Sequence, residues 1–312
     1  MMILGAVLAV LVLLVAGFFV ATWAPDRPVA SLVGRWAPPP SVFVDIAGMK
    51  VHLRDEGPRD DPSPIVLIHG TGSFLHAWEG WVPALREQRR VITFDLPGFG
   101  LTGPSPDGDY SLEASVRFVV ALLDKLGVAH CVLGGNSLGG AISWATAVLE
   151  PSRVDKLILV DSGGYPAHSI SIPLGFRIAR LPGLNQMLSH TLPRFLIASG
   201  MRNVFGDPAK VTDLMVDRAY EITLREGNRQ AMVARFNQPR RTALAVRIPE
   251  IRVPTLIIWG GRDRLVPPDD AERFHRDIAG STLEIFDGLG HAPEEEDPAA
   301  TVAAVKRFLD LK

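Results

Sequence analysis

A serine flanked by glycines stands at the junction between an apolar run and an apolar helix-like segment. Ser137 lies in the motif GNSLGG at residues 135–140, after the apolar run 131–134 and before a helix predicted over 141–149. Small neighbours let the backbone turn sharply, so that the serine hydroxyl projects alone. The free N–H groups at the start of the helix would lie where an oxyanion forms during attack on a carbonyl. The pattern therefore predicts a serine nucleophile, provided that a base and an acid lie nearby.

A serine hydroxyl becomes a good nucleophile near neutral pH only when a base accepts its proton and a carboxylate orients that base. His291 is the best placed of the eight histidines, because it follows the last predicted strand on a glycine-rich loop. Asp263 is the first choice for the acid, since a Gly-Gly-Arg-Asp turn presents it just after the strand predicted over 255–259. Asp161, directly after the strand predicted over 156–160, is the alternative acid. The chain order serine, aspartate, histidine is the one that such a nucleophile turn uses.

Two backbone N–H groups near the nucleophile are needed to stabilise a developing oxyanion. The first is predicted to be that of Leu138, directly after the nucleophile. The second is predicted in the glycine-rich loop HGTGS at residues 69–73, with Thr71 as the donor. Four nearby residues are candidates for the wall of the substrate pocket: Gly70, Gly72, Ser73 and His76.

The composition excludes several other classes of function. The formal net charge of −2 gives no electrostatic case for binding nucleic acid. The single cysteine excludes an internal disulfide and a cysteine-rich metal site. No group of His, Asp and Glu residues has the spacing of metal ligands, so neither a metal nor an organic cofactor is expected.

The elements that position these residues follow from the apolar pattern. Eight strands are predicted, over 42–46, 50–54, 65–69, 91–95, 131–134, 156–160, 255–259 and 283–286. The later strands are continuous Val, Ile and Leu runs, which is typical of parallel strands covered on both faces. The first two are close enough to form a hairpin, and helix-like segments separate the others. The sequence predicts an α/β fold, with a mostly parallel eight-stranded sheet, an antiparallel start and helices on both faces.

The alternation of strands and helices stops after the sixth predicted strand. The stretch from 161 to 253 has no clear strand and carries prolines at 166, 173, 182, 193 and 208. It contains helix-like pieces over 174–180, 186–199, 209–225 and 229–236. We expect a helical cap at about 164–247, inserted between two strands of the sheet.

The N-terminal stretch suggests a membrane segment, because the first 25 residues carry no charged side chain and are almost wholly apolar. About 20 apolar residues cross the hydrocarbon core of a bilayer as a helix. A cleaved signal peptide is the competing interpretation, but no basic residue precedes the apolar stretch. The prediction is a single-pass transmembrane anchor over 1–24, a Pro-rich linker over 25–40 and a domain over 41–312, with the membrane as a partner. The flanking charges leave the side of the membrane open, and the oligomeric state is open too.

Several motifs, in their order and spacing, resemble the α/β-hydrolase superfamily, in its serine-nucleophile, esterase/lipase-like branch with a helical cap. They are His69-Gly-x-Gly72, DLPGFG at 95–100, Gly135-x-Ser137-x-Gly139, Trp259-Gly-x-x-Asp263 and Gly290-His291. The resemblance covers the chain from about residue 42 to its end. It implies hydrolysis of a carboxylic ester, small or lipid-like, through an acyl-enzyme on the serine. Together with the predicted anchor, it describes a membrane-anchored serine esterase.

Two other functions are alternatives. One is a C–C bond hydrolase of the kind that cleaves ring-fission products; such relatives have the elbow GNSMGG, which differs here only at Leu138. They usually carry Trp after the base, where this chain has Ala292. The other is a catalytically silent ligand-binding module, because the same fold also serves as a binding scaffold.

Overall fold

The centre of the fold is an eight-stranded sheet. The computed structural model describes residues 2–166, 168–238 and 242–312, without the side chains of residues 2, 3, 5, 8, 11, 12, 15, 188 and 242. The strands are β1 Val42–Ile46, β2 Met49–Glu56, β3 Ile65–Ile68, β4 Val91–Phe94, β5 Cys131–Asn136, β6 Val154–Val160, β7 Thr255–Gly260 and β8 Thr282–Phe286. Their order across the sheet is β1-β2-β4-β3-β5-β6-β7-β8. Strand β2 runs antiparallel to both of its neighbours, and the other pairs are parallel. The predicted sheet is confirmed.

Helices occupy much of the remaining described chain. The α-helices are α1 Met2–Thr22, α2 Ala30–Trp36, α3 Val82–Leu85, α4 Leu112–Lys125, α5 Leu138–Leu149, α6 Leu174–Ala179, α7 Leu184–Leu188, α8 Arg194–Val204, α9 Asp213–Thr223, α10 Asn228–Asn237, α11 Asp269–Asp277, α12 Pro293–Glu296 and α13 Pro298–Phe308. Short 3-10 helices cover Leu75–Trp78, Pro151–Arg153, Pro208–Lys210 and Thr242–Glu250. Helices α6 to α10 lie between β6 and β7, in the stretch predicted to form a cap, and we refer to them as the cap.

Alternate side chains of β3 show how the sheet is buried on both faces. Ile65 and Leu67 pack in an apolar cluster with Val302 of α13. Val66 and Ile68 join the opposite cluster, which contains residues of α4, α5 and α11. Because all four residues of β3 are buried, the strand needs apolar side chains in every position, as its unbroken Ile-Val-Leu-Ile sequence indicates.

Strand β5 continues further than its apolar run predicts. Gly134 and Gly135 still pair with β6, and the strand ends only at Asn136. Helix α5 begins at Leu138. A single residue, Ser137, therefore makes the whole turn from strand to helix.

The N-terminal prediction is corrected by the structure. Within the described residues, no helix combines the length and the apolar character that crossing a membrane requires. The transmembrane anchor predicted over 1–24 is therefore wrong, and so are the membrane partner and the single-pass localisation that depended on it. The end of this segment contacts the cap. The Trp23 ring stacks on His190 with centroids 5.7 Å apart, and the Leu192 N–H donates to the Thr22 carbonyl oxygen at 3.1 Å.

Helix α2 lies in the stretch that the sequence suggests is an extended linker. Glu221 of α9 accepts hydrogen bonds from Arg35 Nη1 at 2.6 Å and from Trp36 Nε1 at 2.7 Å. Leu32 and Trp36 are buried in an apolar cluster that includes Phe74. This short helix forms because its side chains find partners on the rest of the fold, and most helical stability in proteins comes from such packing.

Candidate active site

Ser137 makes its turn in a backbone conformation that few non-glycine residues adopt. Its φ is +55° and its ψ is −111°, and such conformations cost on the order of 1–3 kcal/mol unless the surroundings enforce them. The Ser137 N–H donates to the Val160 carbonyl oxygen at 2.9 Å, and the Ser137 carbonyl oxygen accepts from the Gly163 N–H at 3.0 Å. The end of β6 therefore holds the turn in place, and Ser137 lines a cavity there.

The glycines of the turn are required because α5 passes very close to the sheet. A Cβ on Gly135 would lie 2.3 Å from the carbonyl carbon of Gly139. A Cβ on Gly139 would lie 2.0 Å from the Ile68 carbonyl oxygen. Since both neighbours are backbone atoms, a larger residue at either position would push α5 off the strands and displace Ser137.

His291 and Asp263 form a buried hydrogen-bonded pair. Nδ1 of the histidine lies 2.6 Å from Oδ2 of the aspartate, and only 5% of His291 and 2% of Asp263 are exposed. Oδ1 of Asp263 accepts the N–H groups of Leu265 and Val266, at 2.7 and 3.0 Å. This arrangement makes Asp263 the acceptor for Nδ1–H, so that Nε2 of His291 is the nitrogen that can accept a proton.

The loop that carries His291 is held by three other parts of the fold. Asn136 Nδ2 donates to the His291 carbonyl oxygen at 2.8 Å, which joins the loop to the end of β5. The His291 N–H donates to the Val204 carbonyl oxygen at 2.7 Å, which joins it to α8 of the cap. The Gly290 N–H donates to Glu296 Oε2 at 2.8 Å. The candidate nucleophile and base thus lie on mutually anchored turns and line the same cavity.

Asp161, the alternative acid, is buried at the same site but is not hydrogen-bonded to the histidine. Its Oδ1 accepts the Gly260 N–H at 3.0 Å. One oxygen of Asp161, one oxygen of Asp263 and one ring nitrogen of His291 lie within 4.8 Å of one another, the nearest approach to a metal-ligand cluster among the described residues. Burial, together with the neighbouring Asp263, raises the pKa of Asp161 well above its ordinary value. Asp263 is therefore the acid that the geometry joins to His291.

The loop after β3 reaches the same cavity. Five residues predicted to form the oxyanion site and the pocket line it: Gly70, Thr71, Gly72, Ser73 and Leu138. A Cβ on Gly70 would lie 2.6 Å from Asn136 Oδ1, so the loop lies directly against the serine turn. Both residues predicted to supply the oxyanion donors, Thr71 and Leu138, thus line the same cavity as Ser137.

His76, the remaining pocket candidate, does not line the cavity that the described residues form. It is buried, and its Nε2 lies 2.8 Å from the Trp36 carbonyl oxygen. Its ring meets that of Phe74 edge-on, with centroids 5.3 Å apart. We therefore assign His76 to the contact with α2 rather than to the substrate pocket.

The cavity itself has a volume of about 820 Å³, within the range of small-molecule sites. Its walls come from the loops that follow the strands and from the cap. The apolar side chains that the cap contributes include Phe176, Leu196, Ile197, Met201, Phe205 and Met232. A mostly apolar substrate body therefore fits this space, with polar groups at defined positions on the wall.

Arg235 of α10 brings a cation to this wall. In the described part of the chain its hydrogen-bond partners are backbone carbonyl oxygens, those of Tyr110 at 3.2 Å and Pro97 at 3.1 Å. The guanidinium also lies 5.0 Å from the ring centroid of Phe99 and 4.9 Å from that of Tyr110. Burial lowers the pKa of Arg235 to about 10, so the group is charged at neutral pH. An anion in the cavity would supply the opposite charge.

Sequence reasoning missed two groups at this site, Arg235 and Glu296. The carboxylate of Glu296 accepts the N–H groups of Gly206 at 2.9 Å and Asp207 at 2.7 Å, besides that of Gly290 at 2.8 Å. It therefore joins the cap to the loop of the base. The sequence shows only a run of three glutamates after the histidine, and nothing in that run distinguishes the third.

The sheet, the strained serine turn after β5 and the His–Asp pair carried by the loops after β8 and β7 define a class of protein. The family model for the alpha/beta hydrolase fold matches residues 63–298. The chain belongs to the α/β-hydrolase family, and the resemblance found in its motifs is confirmed.

The chain is also similar to individual hydrolases. The chain is 31% identical over 273 residues to a 2-hydroxymuconate semialdehyde hydrolase from Pseudomonas sp. strain CF600, over 84% of this chain and 91% of that protein. The fold is similar to that of a meta-cleavage product hydrolase from Pseudomonas fluorescens IP01, with a TM-score of 0.73 and 26% identity over 86% of this chain and 97% of that one. It is also similar to a membrane phospholipase A described as a bacterial virulence factor, with a TM-score of 0.69 and 25% identity over 99% and 97% of the two chains.

These relatives correct the expected reaction. The prediction of a membrane-anchored carboxylic ester hydrolase is overturned by relatives of the meta-cleavage type that match most of the chain. They support the alternative, a C–C bond hydrolase. The chain is a hydrolase of the α/β fold.

Proposed function

We propose that this protein is a serine hydrolase that cleaves a C–C bond in an anionic, conjugated oxo-acid derived from an opened aromatic ring. The observation that carries the proposal is the similarity to a 2-hydroxymuconate semialdehyde hydrolase over 84% of the chain. The structural similarity to a meta-cleavage product hydrolase supports it. The candidate site also contains each group that the reaction needs.

The proposed first step is attack on the terminal carbonyl carbon of the substrate. The Ser137 hydroxyl is the nucleophile, His291 accepts its proton at Nε2, and Asp263 orients the imidazole through Nδ1. The N–H groups of Thr71 and Leu138 stabilise the oxyanion.

The C–C bond then breaks because the leaving carbon is stabilised by conjugation. In the keto tautomer of such a substrate, a methylene separates the terminal carbonyl from an enone. The electron pair of the broken bond moves through the enone to its oxygen, which takes up a proton by way of His291. Water, activated by the same base, releases the acyl group from Ser137. In sum, one water is added, and the products are a carboxylic acid and a 2-hydroxydienoate.

The charge on Arg235 supports an anionic substrate. A carboxylate at one end of a conjugated acid would meet the partly buried guanidinium of Arg235, whose hydrogen-bond partners among the described residues are backbone carbonyl oxygens. Hydrogen bonds between charged groups are about twice as strong as neutral ones. Because the rest of the wall is largely apolar, this contact would also orient the substrate along the cavity.

One residue departs from the pattern expected of C–C hydrolases. Ala292 follows the base, where the resemblance leads us to expect Trp. It lines the cavity and is buried in an apolar cluster with Phe205 and Val216 of the cap. Its methyl group leaves more space beside the base than an indole would, so we expect the acyl side of the substrate to be larger than a formyl group.

The test compares the cleavage of two kinds of substrate bond, C–C and ester, by the full-length protein. The protein is incubated with 2-hydroxymuconate semialdehyde, with its methyl-ketone analogue and with p-nitrophenyl esters of graded chain length. The matched control is Ser137→Ala. Loss of the conjugated chromophore together with release of formate or acetate, absent in the control, supports the proposal. Turnover of the esters alone overturns it and indicates chemistry closer to that of the phospholipase.

A further inference from the structure

We propose that Asp161 is a positioning residue: as a neutral carboxylic acid it donates a hydrogen bond to Asp263 and so fixes the carboxylate that orients His291. This inference depends on the proposed roles of Asp263 and His291, but not on which bond the enzyme cleaves. Asp161 itself contacts neither the substrate nor the reacting atoms in the proposed reaction.

The first observation is the position of an unused carboxyl oxygen. Asp161 is fully buried at the end of β6, and its Oδ1 is occupied by the Gly260 N–H at 3.0 Å. Its Oδ2 is buried without a hydrogen-bond partner among the described residues. A buried polar atom left in this way costs about 1–3 kcal/mol. An oxygen of Asp161 lies within 4.8 Å of an oxygen of Asp263, so the two carboxyl groups are neighbours, and a shift that closed this gap would join them.

The second observation is the charge around this carboxyl group. The acidic groups that act on it are Asp263, from the loop after β7, and Glu294, from α12. Glu294 is itself buried, and its Oε2 has no hydrogen-bond partner among the described residues. The basic group of this cluster is His291, which is already paired with Asp263. Within the described residues, a second negative charge on Asp161 would have no cation of its own, so its proton is retained.

The retained proton has one useful acceptor. Oδ1 of Asp161 already accepts a hydrogen bond, which leaves Oδ2 to carry the proton. A carboxylate such as Asp263 accepts about four hydrogen bonds, and it receives three from His291, Leu265 and Val266. A fourth, from Asp161, would complete its shell. It would also draw charge from the Asp263 carboxylate and so hold down the basicity of His291.

The backbone at this position supplies matched variants. Asp161 has a φ of +43°, a region that Asn and Asp tolerate better than other side chains and that glycine adopts at no cost. Asp161→Asn keeps the volume and an N–H donor but cannot ionise. Asp161→Gly removes the donor without straining the backbone.

The experiment measures the rate at which a fluorophosphonate labels Ser137 between pH 5 and pH 9, for the full-length chain and both variants. We expect Asp161→Asn to label within about threefold of the wild type, with an unchanged acidic midpoint. We expect Asp161→Gly to label about tenfold more slowly, with its acidic midpoint about half a pH unit higher. A structural role alone would lower the rate without moving the midpoint.

Two results would overturn the inference. In one, Asp161→Asn loses as much activity as Asp161→Gly, which would make Asp161 a required anion. In the other, neither variant changes the rate or the midpoint. Should Asp161→Gly not fold, the Asn variant still decides, because a moved midpoint in that variant contradicts a neutral donor. A protein that labels normally but leaves the conjugated acid intact would contradict the proposed function and not this inference.

Discussion

The main-chain N–H of His291 donates to the carbonyl oxygen of Val204, 2.7 Å away. The candidate base is therefore held by the last residue of a cap helix, α8, as well as by the loops of the sheet. A shift of that helix would move the imidazole relative to Ser137. Cap position and alignment of the base are coupled for this reason.

The carboxylate of Glu296 strengthens the same connection, so its removal should affect both stability and rate. Glu296→Ala leaves the N–H groups of Gly206, Asp207 and Gly290 without their acceptor. We expect the free energy of unfolding to fall by about 3 kcal/mol and kcat to fall with it. Urea denaturation and steady-state kinetics measure the two effects. Glu296→Gln, which keeps one acceptor oxygen, should lose less stability and less activity. An alanine variant as stable as the wild type would show that the contact is dispensable.

Arg235 should determine affinity for anionic substrates. Arg235→Met keeps the length of the side chain and removes its charge. We expect KM for a conjugated oxo-acid to rise about 10- to 100-fold, the value of a charged hydrogen bond, while the rate of fluorophosphonate labelling stays close to that of the wild type. Arg247→Met is the control, because Arg247 is paired with Glu250 on the surface. An equal rise in KM for the anionic substrate in both variants would contradict the assignment of Arg235 to substrate binding.

The serine turn should not tolerate a methyl group at Gly135. The added Cβ would meet backbone atoms of Gly139 and Gly140 at 2.3 to 2.8 Å, which neither can avoid without moving α5. We expect Gly135→Ala to lose labelling at Ser137 and to unfold at a lower temperature, since overpacking costs about 1–3 kcal/mol or more. Gly288→Ala is the matched control, because nothing lies within 4 Å of its added Cβ. If both variants melt and label alike, the close approach at the turn does not constrain the fold.

Stability in acid should depend on Asp95. Burial alone would raise the pKa of this carboxyl, but the His52 ring hydrogen-bonded to it, together with His69 and His76, outweighs burial and lowers the pKa from 3.8 to about 2. A group whose pKa is lower in the folded state contributes stability above its unfolded value and loses it as the pH falls. We therefore expect the free energy of unfolding to decrease between about pH 4 and pH 2. Asp95→Asn should be less stable at pH 6 and should show a flatter dependence in that range.

Calorimetry of the wild-type protein and of Asp95→Asn, from pH 6 to pH 2, measures how the stability of each depends on pH. Asp95 also accepts the N–H groups of Leu75 at 2.8 Å and Leu101 at 2.7 Å, which the amide of asparagine can satisfy only in part. Parallel pH curves for the two proteins would show that another carboxylate is responsible for acid unfolding.

The parts of the site that could be predicted from the sequence are those that short-range geometry constrains. Ser137 needs glycines two residues away on either side, and Asp263 and His291 each follow a strand, so the local sequence pattern indicates all three as candidates. Arg235 was missed because its partners are remote: the carbonyl that it contacts at Pro97 is 138 residues away. Glu296 acts on a cap residue 90 positions earlier. Neither the hydrophobic periodicity of the sequence nor the spacing of its motifs indicates such long-range contacts.

The same limit explains the error at the N-terminus and the contact that His76 makes with α2. Hydropathy describes the residues of a segment but not what the end of that segment touches, and the stacking of Trp23 on His190 joins it to the cap. The contact of His76 with Trp36 depends on the docking of α2, which the proline-rich composition around that helix does not indicate.

The docking of α2 also bears on how the protein can be shortened. Leu32 and Trp36 cover apolar side chains that belong to the hydrolase fold, among them Phe74 and Leu101. A fragment that began at residue 41 would leave those side chains exposed to water and favour aggregation. The smallest piece worth producing for crystallisation or screening therefore retains the stretch just ahead of the first strand.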